Sequence, residues 1–363
     1  MHCASLGEFE QGRPVLESIK KEFPKYPVVV SFFSPSGYEV RKNYPIADRV
    51  IYLPIDTKKN ANSLIHDINP AIVLWVKYEY WQHYLFELKR KQIPVLLISG
   101  IFRNSQPFFQ WHGSTWRKIL HAFEFLFLQN QESLTLLHKI GIQNSCITGD
   151  TRFDRVLQVV EDRKRNHLIE KFINNQFLIV AGSTWENDEI ILQQFSNAHP
   201  ACKFIIVPHE VTPSNINRLL SIFSNATTYS DFQTNIEINS EKNILIVDAI
   251  GILSQLYAYG KIAYVGGGFG KGIHNTLEPA VYGIPVVFGP NYQKFSEAVS
   301  LIKIKAAFSI ANYDELKETL ERLMNEEEQR KMSGDIAKEF VTKNQGATAF
   351  ITNYVTEKRL LTK

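Results

Sequence analysis

The sequence predicts an α/β protein with two doubly wound parallel sheets. Short apolar runs alternate with longer amphipathic stretches along the chain, which is typical of parallel strands joined by crossover helices. The 363 residues exceed one ordinary core, because domains hold roughly 100 to 200 residues each. This alternation of apolar runs and amphipathic stretches occurs twice, once before and once after a charged stretch at 154–174. We therefore expect two similar halves.

The strand candidates fall into two sets. Those of the first half lie at 28–33, 50–53, 71–76, 95–99, 124–128 and 145–148, and those of the second half at 177–181, 204–207, 244–247, 262–265 and 286–288. The turn-free stretch 154–174 predicts one helix between them. The expected domains are 1–160 and 161–335, with a helical tail at 336–363 that crosses back to the first. No apolar run precedes the loop that starts at residue 2, so we expect that the first strand is missing and the chain truncated.

Composition excludes several classes of protein. Hydrophobic residues make up 44% and charged residues 21%, as in a packed globule rather than a disordered chain. The net charge of +3 is too small to predict nucleic-acid binding, but it is compatible with an acidic small substrate or an anionic membrane surface. Cys3, Cys146 and Cys202 are scattered, odd in number and without metal-ligand spacing, which favours a reduced cytosolic compartment. No apolar run reaches the ~20 residues that span a bilayer.

A glycine-rich loop, GGGFGKGIHNTLEP, follows the strand candidate 262–265. Glycines at the end of a strand allow a ligand to approach the backbone and leave N–H groups for an anion, and Gly268 is the candidate contact. The spacing fits neither the GxGxxG nor the GxxxxGK pattern. Asn275 to Glu278 open the following helix, where Glu278 can accept hydrogen bonds from ribose hydroxyls. The alternative is a tight glycine turn with an acid at a helix start.

Three other strand ends carry polar turns that belong at the same edge of the sheet. These turns are 182–186 with Ser183 and Thr184, 208–210 with Pro208 and His209, and 248–251 before Ile252. Ligands of open α/β sheets collect at the carboxyl ends of strands. The second half therefore predicts one nucleotide pocket.

The first half carries a candidate general base. Glu8 follows a Ser5-Leu6-Gly7 turn where a helix begins, and a helix N-terminus favours the ionised carboxylate. Such a base accepts a proton from an attacking hydroxyl and contributes roughly 100- to 10,000-fold in rate. The alternative is an ordinary first-turn acid.

Other charged candidates follow two further strands of the first half. Lys77 and Glu79 lie after strand 71–76 and either act in the site or pair with each other. Arg152 lies after strand 145–148, where a guanidinium stabilises a leaving phosphate or a substrate carboxylate. A salt bridge at the domain junction is the alternative for Arg152.

The stretch 102–127 is dense in aromatic residues with interleaved basic ones. Residues 123–127 alternate like a core strand. Residues 102–116 are irregular, and both a lipid-contacting surface and ordinary core packing stay open for them.

Taken together and in this order, the motifs resemble those of the bacterial 3-deoxy-D-manno-octulosonic acid (Kdo) transferases. The motifs are HCASLGE, FFSPSGYE, KYEYW, TGDTRFDR, VAGSTWE, VPHE, GGGFGKGIHNTLEP and NQGA. The resemblance implies a GT-B glycosyltransferase fold, with two Rossmann-like domains facing a cleft, CMP-Kdo as donor and no metal. It implies transfer to a lipid A precursor in Gram-negative lipopolysaccharide synthesis. It also implies a place at the cytoplasmic face of the inner membrane, peripheral or anchored by a preceding segment.

The resemblance also implies roles for individual residues. It places the general base on Glu8 and transition-state stabilisation on Lys77 and Arg152, beside Glu79. It places the CMP contacts on Pro208, His209, Ile250, Gly251, Ile252, Asn275, Thr276, Leu277 and Glu278. Lys77 and His209 depart from the family pattern, which often has an acid and an arginine there.

The expected activity is inverting transfer of Kdo. Two alternatives stay open: a GT-B enzyme that uses a UDP-sugar, either a transferase or an epimerase, and a nucleotide-binding relic without activity.

Overall fold

The computed structural model describes residues 1–239 and 241–362. The chain divides into two compact units: unit 1 contains Met1–Arg155 and Asn344–Lys363, and unit 2 contains Val156–Lys343. Each unit has a seven-stranded sheet in which all neighbouring strands are parallel. The predicted α/β class is therefore confirmed.

Unit 1 has the strand order β3-β2-β1-β4-β5-β6-β7. Its strands are β1 (His2–Cys3), β2 (Val29–Phe32), β3 (Arg49–Tyr52), β4 (Val73–Val76), β5 (Val95–Gly100), β6 (Phe125–Leu128) and β7 (Ser145–Ile147). Its helices are α1 (Leu6–Glu22), α2 (Pro35–Arg41), α3 (Lys58–Ile68), α4 (Gln82–Arg90), α5 (Ser114–Leu120), α6 (Gln131–Lys139), the start of α7 (Thr151–Glu161) and α18 (Ala347–Glu357).

Successive side chains along the strands of this sheet point to opposite faces and contribute to two hydrophobic cores. Leu96 and Ile98 pack on the face that also buries α1, whereas Val95 and Leu97 pack on the opposite face with α3 and α4. Helices therefore cover both faces, as a parallel sheet requires. The C-terminal helix α18 joins the α1 core through Ile351.

Unit 2 has the strand order β10-β11-β9-β8-β12-β13-β14. Its strands are β8 (Leu178–Thr184), β9 (Lys203–Pro208), β10 (Ala226–Thr228), β11 (Ile244–Ile246), β12 (Ile262–Val265), β13 (Val286–Phe288) and β14 (Ala307–Ser309). Its helices, after the rest of α7, are α8 (His167–Ile173), α9 (Glu186–Ala198), α10 (Pro213–Ile222), α11 (Tyr229–Thr234), α12 (Ile236–Asn239), α13 (Leu253–Leu256), α14 (Leu277–Ala280), α15 (Ser296–Lys303), α16 (Tyr313–Asn325) and α17 (Glu327–Lys343). Ile179 and Val180 point to opposite cores.

Every strand candidate of the sequence corresponds to a strand, but two expectations are wrong. A first strand is present, because His2 pairs with Ser31 of β2 and with Trp75 of β4. The predicted helix 154–174 is two helices, since Asn166 caps α8 by accepting from the N–H groups of Leu168 and Ile169. The tail predicted at 336–363 is helical where described, since it contains the end of α17 and all of α18. Among the described residues, none of the helices is both long and apolar enough to span a membrane.

Candidate active site

Glu8 lies in the first turn of α1 and is buried, with 9% of its surface exposed. Ser5 caps the helix, and its hydroxyl accepts from the Glu8 N–H at 3.4 Å. The N–H of Ala4 donates to Glu8 Oε2 at 2.6 Å, so the carboxylate folds back onto its own turn. The predicted helix start is therefore present around this acid.

The electrostatics of Glu8 differ from the sequence-based expectation. Burial raises the pKa of Glu8 to about 6, the Glu79 carboxylate adds to the rise, and the Ala4 N–H and the Lys77 charge oppose it. Burial thus outweighs the helix start, which we expected to keep this charge favourable. The carboxylate is still mostly ionised at pH 7, and its basicity suits a general base near neutral pH.

Lys77 and Glu79 lie just after β4. Lys77 adopts a left-handed backbone conformation (φ 58°), and its ammonium lies 5.2 Å from the centroid of the Tyr78 ring. The Glu79 carboxylate accepts a hydrogen bond from Trp81 Nε1 at 3.0 Å. Burial raises the pKa of Glu79, while the Trp81 N–H opposes that rise. The charges of both residues act on Glu8: that of Glu79 raises its pKa and that of Lys77 lowers it.

Arg152 begins α7 and pairs with Asp150, which the sequence analysis did not single out. The guanidinium lies 2.8 Å from Asp150 Oδ2, and Gln11 Nε2 donates to Asp150 Oδ1 at 3.1 Å. Burial acts to raise the pKa of Asp150, but the charges of Arg152 and Lys77 and the bonds from Arg152 hold it below its ordinary value. An ion pair is therefore present, and a role for Arg152 toward a phosphate stays a prediction.

A hydroxyl pair connects α7 to the helix that carries Glu8. Thr151 donates to the backbone oxygen of Gln11 at 2.5 Å, and its Oγ1 lies 2.9 Å from Ser99 Oγ. All of these groups are buried. The second turn of α1 and the first turn of α7 are thus fixed to each other and to the end of β5.

In unit 2, packing requires glycine at positions 266 and 268 of the loop after β12. A Cβ on Gly268 lies 2.6 Å from the Gly289 backbone, and one on Gly266 overlaps the Ser183 carbonyl oxygen. The N–H groups of Gly266, Gly267 and Gly270 donate to Gly182 O, Asp188 Oδ2 and Gly267 O. The expectation that the loop offers its N–H groups to an anion is therefore wrong for these three.

The short helix α14 follows this loop, and Glu278 lies in its first turn as predicted. Asn275 Oδ1 accepts from the Leu277 N–H at 3.1 Å, and Asn275 Nδ2 donates to Glu278 Oε1 at 3.1 Å. Thr276 is fully buried, and within residues 1–239 and 241–362 its hydroxyl meets no hydrogen-bond partner. The polar side chains of Asn275, Thr276 and Glu278 thus lie together at the N-terminus of α14.

Asp188 is a buried residue that the sequence analysis missed. It accepts hydrogen bonds from Tyr264 Oη at 2.7 Å, the Gly267 N–H at 2.8 Å and the Trp185 N–H at 2.9 Å. These bonds join the start of α9 to the glycine-rich loop. The buried Thr184 hydroxyl also has a partner within unit 2, since it donates to Glu189 Oε1 at 2.9 Å.

Aromatic stacking brings three of the predicted turns of unit 2 together. His209 stacks on Trp185 and on His274, with 4.5 Å between ring centroids in each pair. Trp185, His209 and His274 follow β8, β9 and β12, respectively. The fourth turn also lies beside β8, because Leu253 of α13 packs against Gly182. In this fourth turn, residues 248–251, Ile250 is mostly exposed and Gly251 has a positive φ of 88°.

The aromatic stretch 102–116 divides between two environments. Phe102 and Phe108 are core residues, whereas Trp111 is 91% and Trp116 45% exposed. Core packing therefore holds for part of the stretch, and a lipid-contacting surface stays a prediction for its exposed tryptophans. No group of three or more His, Cys, Asp and Glu side chains within the described part of the chain is arranged to hold a metal ion.

Comparison with known proteins shows that this chain is similar in sequence to 3-deoxy-D-manno-octulosonic acid transferases. Residues 1–155 match the model of the 3-deoxy-D-manno-octulosonic-acid transferase (Kdo transferase) family. The chain is 29% identical over 349 residues to a 3-deoxy-D-manno-octulosonic acid transferase of Aquifex aeolicus, covering 92% of this chain and 90% of that protein. The resemblance to Kdo transferases is thus confirmed.

A longer relative and a solved structure extend the comparison. A bifunctional glycosyltransferase/methyltransferase of Fusobacterium nucleatum is 29% identical over 342 residues, which are 90% of this chain but only 52% of that protein. This chain thus spans about half the length of that relative. The UDP-GlcNAc 2-epimerase of Neisseria meningitidis has a TM-score of 0.69 at 16% identity and covers 98% of both chains. The predicted GT-B fold is confirmed.

Proposed function

We propose that this chain, a relative of the Kdo transferases in sequence, transfers Kdo from CMP-Kdo to a lipid A precursor, lipid IVA, in lipopolysaccharide synthesis. The observation that carries the proposal is Glu8, a buried acid with a pKa of about 6 at the start of α1, inside the HCASLGE motif. Unit 2 binds the nucleotide, and unit 1 supplies the base.

The proposed step is a single displacement. Glu8 accepts the proton of the acceptor hydroxyl while its oxygen bonds to the anomeric carbon of Kdo. The bond from that carbon to the phosphate oxygen breaks, and the electron pair leaves with CMP. One displacement inverts the anomeric centre. Arg152 and Lys77 stabilise developing negative charge, so the proposed reaction uses no metal or cofactor.

The nucleotide contacts in the proposal are those of unit 2. Residues 275–278 start α14, where Glu278 accepts hydrogen bonds from ribose hydroxyls. Pro208 ends β9, His209 follows it, and Ile250 to Ile252 follow the neighbouring strand β11. The buried Thr276 hydroxyl supports this assignment, because a buried polar group is normally hydrogen-bonded.

Nucleotide protection distinguishes this proposal from a UDP-sugar enzyme. We expect CMP at 100 times its dissociation constant to stabilise the protein by about 2.7 kcal/mol and to raise Tm by roughly 3 to 5 °C. UMP and UDP at the same concentration are the controls, measured by thermal unfolding. Protection by UDP without protection by CMP contradicts the proposal and supports the UDP-sugar alternative.

We also propose that unit 1 contacts the anionic cytoplasmic face of the inner membrane. Trp111 and Trp116 are exposed beside the basic residues Arg117 and Lys118, and tryptophan favours the membrane interface. Replacing both tryptophans with serine is expected to weaken binding to vesicles that contain anionic lipid at least about tenfold. Phe350→Ser, an exposed aromatic elsewhere in unit 1, is the control for co-sedimentation. Equal binding by all variants contradicts the membrane contact.

A further inference from the structure

Three aromatic rings that contact one another pairwise form a cluster after β8, after β9 and in the loop after β12. Trp185 and His209 stack at 4.5 Å with 24° between their planes, and His209 and His274 stack at 4.5 Å with 25°. Trp185 Nε1 lies 3.0 Å from His274 Nε2. Trp185 and His274 are thus joined by a direct hydrogen bond as well as through the ring of His209.

The hydrogen bond fixes which nitrogen of His274 carries the proton. An indole N–H only donates, so His274 Nε2 accepts. A neutral imidazole that accepts at Nε2 has its proton on Nδ1. Burial lowers the pKa of His274 to about 4, and the charge of His209 adds to that effect. His274 is therefore neutral at pH 7, with Nδ1–H as its donor.

The Nδ1–H of His274 is available to a ligand. Across residues 1–239 and 241–362, His274 Nδ1 has no hydrogen-bond partner and is not enclosed in the core. His274 directly precedes Asn275, and its own N–H bonds to Gly266 O at 3.1 Å, so backbone and ring are both fixed. A fixed donor next to residues 275–278 meets the requirement for orienting an anionic oxygen.

From this geometry we infer that His274 is a further residue that binds the nucleotide-sugar donor. Its neutral imidazole donates a hydrogen bond from Nδ1–H to a phosphate oxygen of the bound nucleotide. Trp185 is its positioning residue, because it selects the tautomer without touching the ligand. The inference rests on the proposed function, in which unit 2 holds a nucleoside monophosphate linked to an acidic sugar. It adds His274 to the contacts predicted from the sequence, and Trp185 as the residue that positions it.

The test combines histidine NMR with CMP binding on the full chain. In ¹⁵N-histidine spectra of the protein without ligand, we expect Nδ1 of His274 to be protonated, with the signal assigned through His274→Gln. Trp185→Phe keeps an aromatic ring but removes the indole N–H, and we expect it to shift His274 toward the Nε2–H tautomer. CMP affinity by calorimetry is expected to fall about tenfold in His274→Gln and about fivefold in Trp185→Phe.

Controls separate this inference from the proposed function. His167→Gln, an exposed histidine at the start of α8, is expected to leave both the His274 signal and CMP affinity unchanged, and thermal unfolding checks that each variant folds. An Nε2–H tautomer in the unliganded wild type overturns the positioning role of Trp185. Wild-type CMP affinity in His274→Gln overturns the inference but leaves the proposed function standing. Failure of the wild type to bind CMP overturns both.

Discussion

Glu8→Gln is expected to lower Kdo transfer at least about 100-fold, because the amide cannot accept the proton of the attacking hydroxyl. The fold is expected to persist, since glutamine has the same shape and the Ala4 N–H can donate to its amide oxygen. Initial rates with CMP-Kdo and a tetra-acylated lipid A precursor measure the effect.

Glu10→Gln is the matched control, because Glu10 lies two residues later on α1 and pairs with Arg41. We expect it to change the rate less than about twofold. The pH profile is a second readout: Glu8 acts only when ionised, so kcat/KM is expected to fall about tenfold per pH unit below its pKa of about 6. A Glu8→Gln enzyme with wild-type activity, or a flat wild-type profile down to pH 5, removes Glu8 from the mechanism.

Asp188→Ala is expected to lower the free energy of unfolding by at least about 3 kcal/mol, because it leaves three donors in the interior without their acceptor. Those donors are Tyr264 Oη and the N–H groups of Gly267 and Trp185. The loss also frees the glycine-rich loop before residues 275–278, so CMP binding is expected to weaken. Denaturant unfolding and calorimetry measure the two effects.

Asp314→Ala is the control for this prediction. Asp314 is an exposed acid in the first turn of α16, and its removal is expected to change stability by less than about 0.5 kcal/mol. An Asp188→Ala protein within about 1 kcal/mol of the wild type shows that these bonds do not hold the loop.

Most strands could be predicted because a strand buried on both faces is a continuous apolar run. Val95–Gly100 and Leu178–Thr184 are such runs. The two residues of β1 have no such signal, since His2 and Cys3 form a strand only by pairing with β2 and β4. The interruption at 162–166 between α7 and α8 is not predicted, because the N-cap residue Asn166 lies within a charged stretch that otherwise favours one helix.

The candidate site was only partly predictable, for a different reason. Sequence reasoning finds polar residues at strand ends, and it named Glu8 and the turns of unit 2. It did not find Asp150 and Asp188, because their contacts reach residues far along the chain, such as Gln11 and Tyr264. The raised pKa of Glu8 depends on burial, which a helix-start argument does not include.

The most direct test of the central claim is the product of the wild-type chain in the transfer assay used for Glu8→Gln. After incubation with CMP-Kdo and the tetra-acylated precursor, mass spectrometry is expected to show the lipid with added Kdo and an equivalent amount of released CMP. An unmodified lipid in the presence of folded, CMP-binding protein contradicts the account.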